Sequence, residues 1–96
     1  MSINDIFQAL SDPTRREILR LLRERDMSAG ELAECFPLAK STLSAHFRSL
    51  RQAGLIVPEK RGTTIRYSLN VSAAEEAIGL IMDALRVGGS RKGAES

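Results

Sequence analysis

One cysteine, Cys35, and one histidine, His46, occur in the 96 residues. A lone thiol closes no internal disulfide and makes no two-thiol switch within the chain, so a reducing, cytoplasmic setting is expected. Two readings of Cys35 stay open: a small buried apolar residue, or a redox sensor. A metal site needs several close Cys, His or carboxylate ligands. Cys35 and His46 stand apart, and Glu75, Glu76 and Asp83 read as a solvated helix face, so no metal and no cofactor is expected. The chain lacks a Ser, His and Asp arrangement in a recognisable motif and a Gly-rich phosphate loop, which argues against an enzyme. Long apolar runs are missing too. The longest stretch near the C-terminus, "AIGLIM", is far below a membrane span, and the N-terminus has no basic start leading into an apolar run. The sequence therefore reads as neither exported nor membrane-embedded.

What is present suits one small domain. Hydrophobic residues make up 43% of the chain, enough for a compact core over residues 1–87, while the Gly-rich, polar "VGGSRKGAES" ends in an expected disordered tail at 88–96. A chain this short buries only about 65% of its unfolded surface, so an apolar stripe left over on a terminal helix would be covered by a second copy. The net charge of +2 and pI of about 9.1 hint only weakly at an anionic partner. Distribution says more: between Lys40 and Arg66 stand Lys40, Arg48, Arg51, Lys60, Arg61 and Arg66 against Glu59 alone, a net +5.

Along the chain, Ile3, Ile6, Phe7 and Leu10 recur at helical spacing until "SDPT", where Asp12 can cap and Pro13 can open a second helix. That helix carries Ile18, Leu19 and Leu22 inward and charge elsewhere. Ser28 and Glu31 form a capping box for a short third helix, "AGELAECF", which must end near Pro37. A tight turn then leads into "KSTLSAHFRSLRQAGLI". With Leu43 as origin, Phe47 and Leu50 fall within about 40° of it, which defines the buried face and leaves His46 at its margin. The opposite face carries Ser41, Ala45, Arg48 and Gln52, flanked by Thr42, Ser44 and Ser49. Two short helices joined by a tight turn, the second with a polar outer face, make a helix-turn-helix.

After Gly54, a helix C-cap, "IVPEK" and "TTIRYSLN" read as two strands joined through Gly62, with Pro58 placing the first at a sheet edge. Ser72 and Glu75 suggest a second capping box opening a last helix, whose stripe is Ala74, Ala77, Ile78, Ile81, Met82 and Leu85. The fold class expected is mainly α with a small β-hairpin: a winged helix-turn-helix of about five helices and a two-stranded wing.

Ser and Thr favour the first turn of any helix, and simple capping accounts for Ser41 but poorly for Ser44, a turn further in. A helix N-terminus with short hydroxyl side chains can approach DNA closely, its free N–H groups facing phosphates and its side chains reaching base edges. Lys40, Ser41, Thr42, Ser44, Ala45 and Arg48 are the candidates on that helix, and Lys60, Arg61, Thr63, Thr64 and Arg66 those on the hairpin. His46 is either a buttress bonded inside the fold or a further DNA contact.

The segments "ALSDPTRREILRLL", "MSAGELAECF", "STLSAHFRSLRQAGLI" and "KRGTTIRYSLN", in this order, resemble the ArsR/SmtB-type winged-helix repressors, most closely a branch of small autorepressors. The resemblance spans about residues 4–70. It implies a homodimer held by the first and last helices, here through Ile3, Ile6, Phe7, Leu10, Ile78, Ile81, Met82 and Leu85, with each recognition helix in a major groove of double-stranded DNA at an inverted-repeat operator. It also implies repression without metal: where metal-sensing members carry a cysteine box, this chain has Ser28, Gly30 and Ala33, and its last helix lacks the histidines of the other metal site. Ala39 replaces the usual Ser at the recognition-helix cap, and Phe47 a common leucine. An unidentified anti-repressor is the partner expected to relieve repression. Two rivals remain: a protein-interaction module, which an acidic outer face would favour although this one is basic, and a repressor released from DNA by a small molecule or by oxidation.

Overall fold

The computed structural model describes residues 2–86; Val87 and the tail expected to be disordered at 88–96 lie outside the described residues. Helices α1 (Ile3–Leu10) and α2 (Pro13–Glu24) are followed by strand β1 (Met27–Ser28), α3 (Ala29–Ala33), α4 (Lys40–Gln52), the hairpin β2 (Ile56–Arg61) and β3 (Thr64–Leu69), and α5 (Val71–Leu85). The helix-turn-helix is α3 and α4, and the hairpin is the wing.

Caps set most boundaries. Asp12 Oδ2 accepts from the Thr14 and Arg15 amides at 2.8 and 3.1 Å, and Pro13 fills the first position of α2, where its missing N–H costs nothing. The capping box of α3 is reciprocal: the Glu31 amide donates to Ser28 Oγ at 3.0 Å and the Ser28 amide to Glu31 Oε1 at 2.8 Å. Helix α4 closes in a Schellman motif, with Gly54 at φ +75°, the Leu55 amide donating to Leu50 O at 3.0 Å and the Gly54 amide to Arg51 O at 2.9 Å. In the wing, Gly62 at φ +61° followed by Thr63, which has no positive φ, is the pattern of a type II′ turn.

Two boundaries and one strand differ from the sequence expectation. Helix α3 ends at Ala33 rather than running on to Phe36, because the residue before Pro37 is driven out of the helical region; the chain finishes in tighter turns, Cys35 N to Leu32 O and Phe36 N to Ala33 O. Cys35 is consequently exposed, not buried. Helix α5 starts at Val71 with Asn70 as its cap, not Ser72, because the Asn70 amide is already held by Leu55 O at 3.0 Å and its Oδ1 takes the Ala73 amide at 3.1 Å. The sheet also has a third strand, in antiparallel order β1-β3-β2, with Met27 opposite Tyr67 and Ser28 opposite Arg66.

The core joins every layer: Ile6 and Ala9 of α1, Ile18 and Leu22 of α2, Leu32 of α3, Leu43, Phe47 and Leu50 of α4, Ile56 of β2, Tyr67 of β3 and Ala77 of α5. Each large aliphatic side chain so buried stabilises the fold by about 1.5–3 kcal/mol. Phe47 meets the Tyr67 ring at a centroid distance of 4.9 Å and 38° between planes, fixing α4 to the wing strand. Ile6 is wholly buried here, which takes it out of the expected dimer surface: its side chain has no face left for a partner.

Candidate nucleic-acid interface

With Leu43, Phe47 and Leu50 turned inward, the other side of α4 presents Lys40, Ser41, Thr42, Ser44, Ala45 and Arg48, all exposed. Ala39 offers no side-chain cap, and the first bond of the helical ladder runs from the Leu43 amide to Ala39 O at 3.0 Å. The amides of residues 40–42 are therefore left for an outside acceptor, at the positive end of a 13-residue helix. The small side chains beside them allow an anion close approach.

Lys40, Arg48, Arg51 and Lys60 take part in none of the ion pairs among the described residues. Arg61 pairs with Glu59 at 3.2 Å, but both are exposed, so the pair is weak and readily exchanged for a phosphate. Lys60, Arg61, Thr63 and Thr64 surround the exposed wing tip. Arg48, Arg51, Gln52, Ile56 and Pro58 line a depression of about 390 Å³ where the end of α4 meets β2. Arg51 was absent from the sequence candidates because the helical wheel puts it on the flank of α4. Only the fold brings that flank against the hairpin.

One candidate, Arg66, is not where the sequence expectation put it, and His46 takes the first of its two readings. Arg66 lies opposite Ser28 in the β1–β3 ladder, donates to Asp26 O at 3.2 Å and sits 3.8 Å from Glu31 Oε1, so it braces the start of α3 instead of facing outward beside the wing tip. The hydrogen bond from the Ser28 amide, with the Arg25 and Arg66 charges, holds the Glu31 carboxyl below its ordinary value against a smaller opposing effect of desolvation.

His46 is likewise turned inward, its side chain only 14% exposed, with Nδ1 3.1 Å from an Arg15 guanidinium nitrogen and Nε2 3.8 Å from Asp12 Oδ2. A guanidinium only donates, so Nδ1 accepts and the ring proton lies on Nε2, toward Asp12. This is the buttress, and His46 leaves the DNA-facing set. Desolvation pushes the Asp12 carboxyl up, but the Arg15 and Thr14 amide bonds, the His46 ring beside it and the Arg15 charge together outweigh it and lower its pKa.

On α1 and α5, Phe7, Ile78, Met82 and Leu85 are 46%, 62%, 45% and 76% exposed, while Ile3, Leu10 and Ile81 are half-buried. Ile78, Met82 and Leu85 recur at i, i+4 and i+7, so they form one uncovered apolar stripe on α5. No described helix is long and apolar enough to cross a membrane.

A family model described as a helix-turn-helix domain matches residues 10–59. The chain is 41% identical over 86 residues to the transcriptional repressor SdpR of Bacillus subtilis (strain 168), the match covering 90% of this chain and 96% of that protein. It is 40% identical over 68 residues to the arsenical resistance operon repressor of Staphylococcus xylosus, covering 71% of this chain and 65% of that one. Among solved structures, the crystal structure of an ArsR family transcriptional regulator superposes with a TM-score of 0.80 at 29% identity, over 93% of this chain and 92% of the other.

Proposed function

The chain belongs to the ArsR-type winged helix-turn-helix regulators of transcription, DNA-binding proteins rather than enzymes, and from that premise we propose that it is a cytoplasmic, homodimeric autorepressor acting on an inverted-repeat operator without a metal cofactor. The observation that carries this reading is the set of exposed cations, uncapped amides and short hydroxyl side chains on the outer side of α4 and at the wing tip. In the proposed contact set, Thr42, Ser44 and Ala45 meet base edges. Lys40, Ser41, Arg48, Lys60, Arg61, Thr63 and Thr64 meet backbone or groove. The uncovered stripe Phe7, Ile78, Met82 and Leu85, with Ile3, Leu10 and Ile81 beside it, supports pairing of two chains through α1 and α5.

Repression without metal rests on the donor set. No three His, Cys, Asp or Glu side chains converge among the described residues, and His46 already has both ring nitrogens turned toward neighbours. The unidentified anti-repressor stays part of the reading as the partner that would release the operator.

Selection of bound sequences from random DNA tests the proposal, followed by anisotropy titrations with and without Zn²⁺. An inverted repeat with half-site centres about 10 bp apart is expected, found also upstream of the protein's own gene. Zn²⁺ should leave affinity within a few-fold. Selection of no common sequence would overturn operator recognition, and a tenfold change with stoichiometric metal would overturn the metal-free reading.

A further inference from the structure

The Arg15 guanidinium is a junction between three helices. Its Nε donates to Ala9 O at 2.9 Å and one terminal nitrogen to Gln8 O at 2.7 Å, a carbonyl that the Ser11 amide and hydroxyl also reach, so the fork grips the C-terminal end of α1. The other terminal nitrogen lies 3.1 Å from His46 Nδ1 in the second turn of α4. Arg15 itself is held in the first turn of α2 by its amide bond to Asp12 Oδ2, and the same carboxylate lies 3.8 Å from His46 Nε2. The end of α1, the start of α2 and the middle of α4 are thus tied at one point.

We infer that the Arg15–His46 link is a specificity-determining element: it fixes the angle between α1, on the dimer side, and α4, on the DNA side, and so sets the half-site spacing that the dimer accepts. The inference rests on the dimeric reading above. Apolar packing through Leu43, Phe47 and Leu50 holds α4 on the core but resists sliding only softly, whereas a planar fork with two backbone acceptors and one imidazole acceptor fixes direction. In a two-fold dimer any tilt of α4 against α1 is doubled between the two recognition helices. One base pair changes half-site separation by about 3.4 Å and rotates it by roughly 35°. A tilt that moves each α4 by half that distance would let the dimer fit a site one base pair too long or too short.

The experiment compares the selected operator with versions lengthened and shortened by one base pair between half-sites, using the full chain. The variants are H46N, H46Q and R15K. Asparagine places an acceptor near the Nδ1 position and keeps the Arg15 bond; glutamine reaches toward Nε2 and loses it; lysine keeps the charge but not the fork. Wild type should favour its own spacing by at least about tenfold, roughly 1.4 kcal/mol. H46N should keep that ratio, and H46Q and R15K should lower it below threefold while single half-site affinity changes little. A loss of folding stability alone lowers all affinities together and leaves the ratio in place. H46Q and R15K that discriminate like wild type overturn the inference, and so does an H46N that loses discrimination as fully as H46Q. If H46Q fails to melt cooperatively, R15K against wild type decides from the other end of the link. Failure of the dimeric reading would show separately, as a wild-type protein that sediments as a monomer or protects one half-site only.

Discussion

Replacing Ile78 with aspartate tests the pairing of two chains without touching the core of one. Ile78 and Ile81 both line the groove between α2 and α5, but Ile78 is 62% exposed at its rim whereas Ile81 is half-buried, so a charge at Ile81 would disturb the monomer as well. Full burial of an isoleucine is worth about 1.5–3 kcal/mol, and the share still exposed scales this to roughly 1–2 kcal/mol per protomer. Two-fold symmetry doubles the loss, so missing apolar contact alone should weaken the dimer by about 2–4 kcal/mol, roughly 30- to 1000-fold in dissociation constant. Desolvating two carboxylates adds several kcal/mol more. In the separated chain the new carboxylate stays in water, and thermal stability should change by no more than about 1 kcal/mol, the scale of helix propensity. Sedimentation velocity and circular dichroism melts read the two quantities separately, and anisotropy with the full operator reads the functional result. An I78D protein that remains dimeric at micromolar concentration would refute pairing through α5. A folded monomer that binds the full operator as tightly as wild type would refute the need for pairing at all.

Other perturbations separate the parts of the proposed interface. Lys60→Ala should weaken binding to all DNA sequences alike and lower the salt slope by about 1, while substitutions of Ser44 should cost about 1–3 kcal/mol at particular base pairs; the reverse pattern in competition assays would exchange the roles of helix and wing. Ala39→Ser should supply the missing cap of α4 and raise unfolding free energy by about 0.5–2 kcal/mol in urea melts. A destabilised A39S would mean that the Ala39 backbone is not a cap position. Asp12 has a lowered folded-state pKa, so its contribution is present above the unfolded value of about 3.9 and is lost as pH falls through the folded value. Asp12→Asn keeps a capping oxygen without the titration, so the Tm gap between wild type and D12N should narrow between about pH 5 and pH 3; a gap that widened on acidification would reverse the sign assigned to this carboxyl.

Much of the outward side of α4 was legible because it is a matter of periodicity. Leu43, Phe47 and Leu50 mark the buried side of α4, and everything opposite is then outward whatever the rest of the chain does. The wing followed from alternation and from Gly62, and α2 and α3 from caps that use residues two or three apart. Periodicity does not say which neighbour covers a stripe. Ile6 and Phe7 are adjacent members of one apolar pattern, yet Ile6 is buried in the chain's own core while Phe7 remains 46% exposed. Strand β1 was invisible for the complementary reason: two residues have no period of their own, and they become a strand only through pairing with β3 about forty positions later.

The same limit explains why the residues that touch DNA in this reading were easier to find than those that hold them in place. A contacting residue is exposed, and exposure is written in the local pattern. A positioning residue acts through directional bonds to distant partners, and Arg15, 31 positions from His46, reads in isolation as one more charge on an amphipathic helix. Arg66 makes the converse point. Its basic side chain in a basic hairpin suggested an outward role, but the register opposite Ser28 commits it to Asp26 and Glu31. Charge type therefore distinguishes neither case. The partner does: Arg48 and Lys60 have no ionic partner among the described residues, whereas Arg15 and Arg66 donate to backbone carbonyls of other segments, and a guanidinium committed in this way is lost to DNA as long as the fold holds.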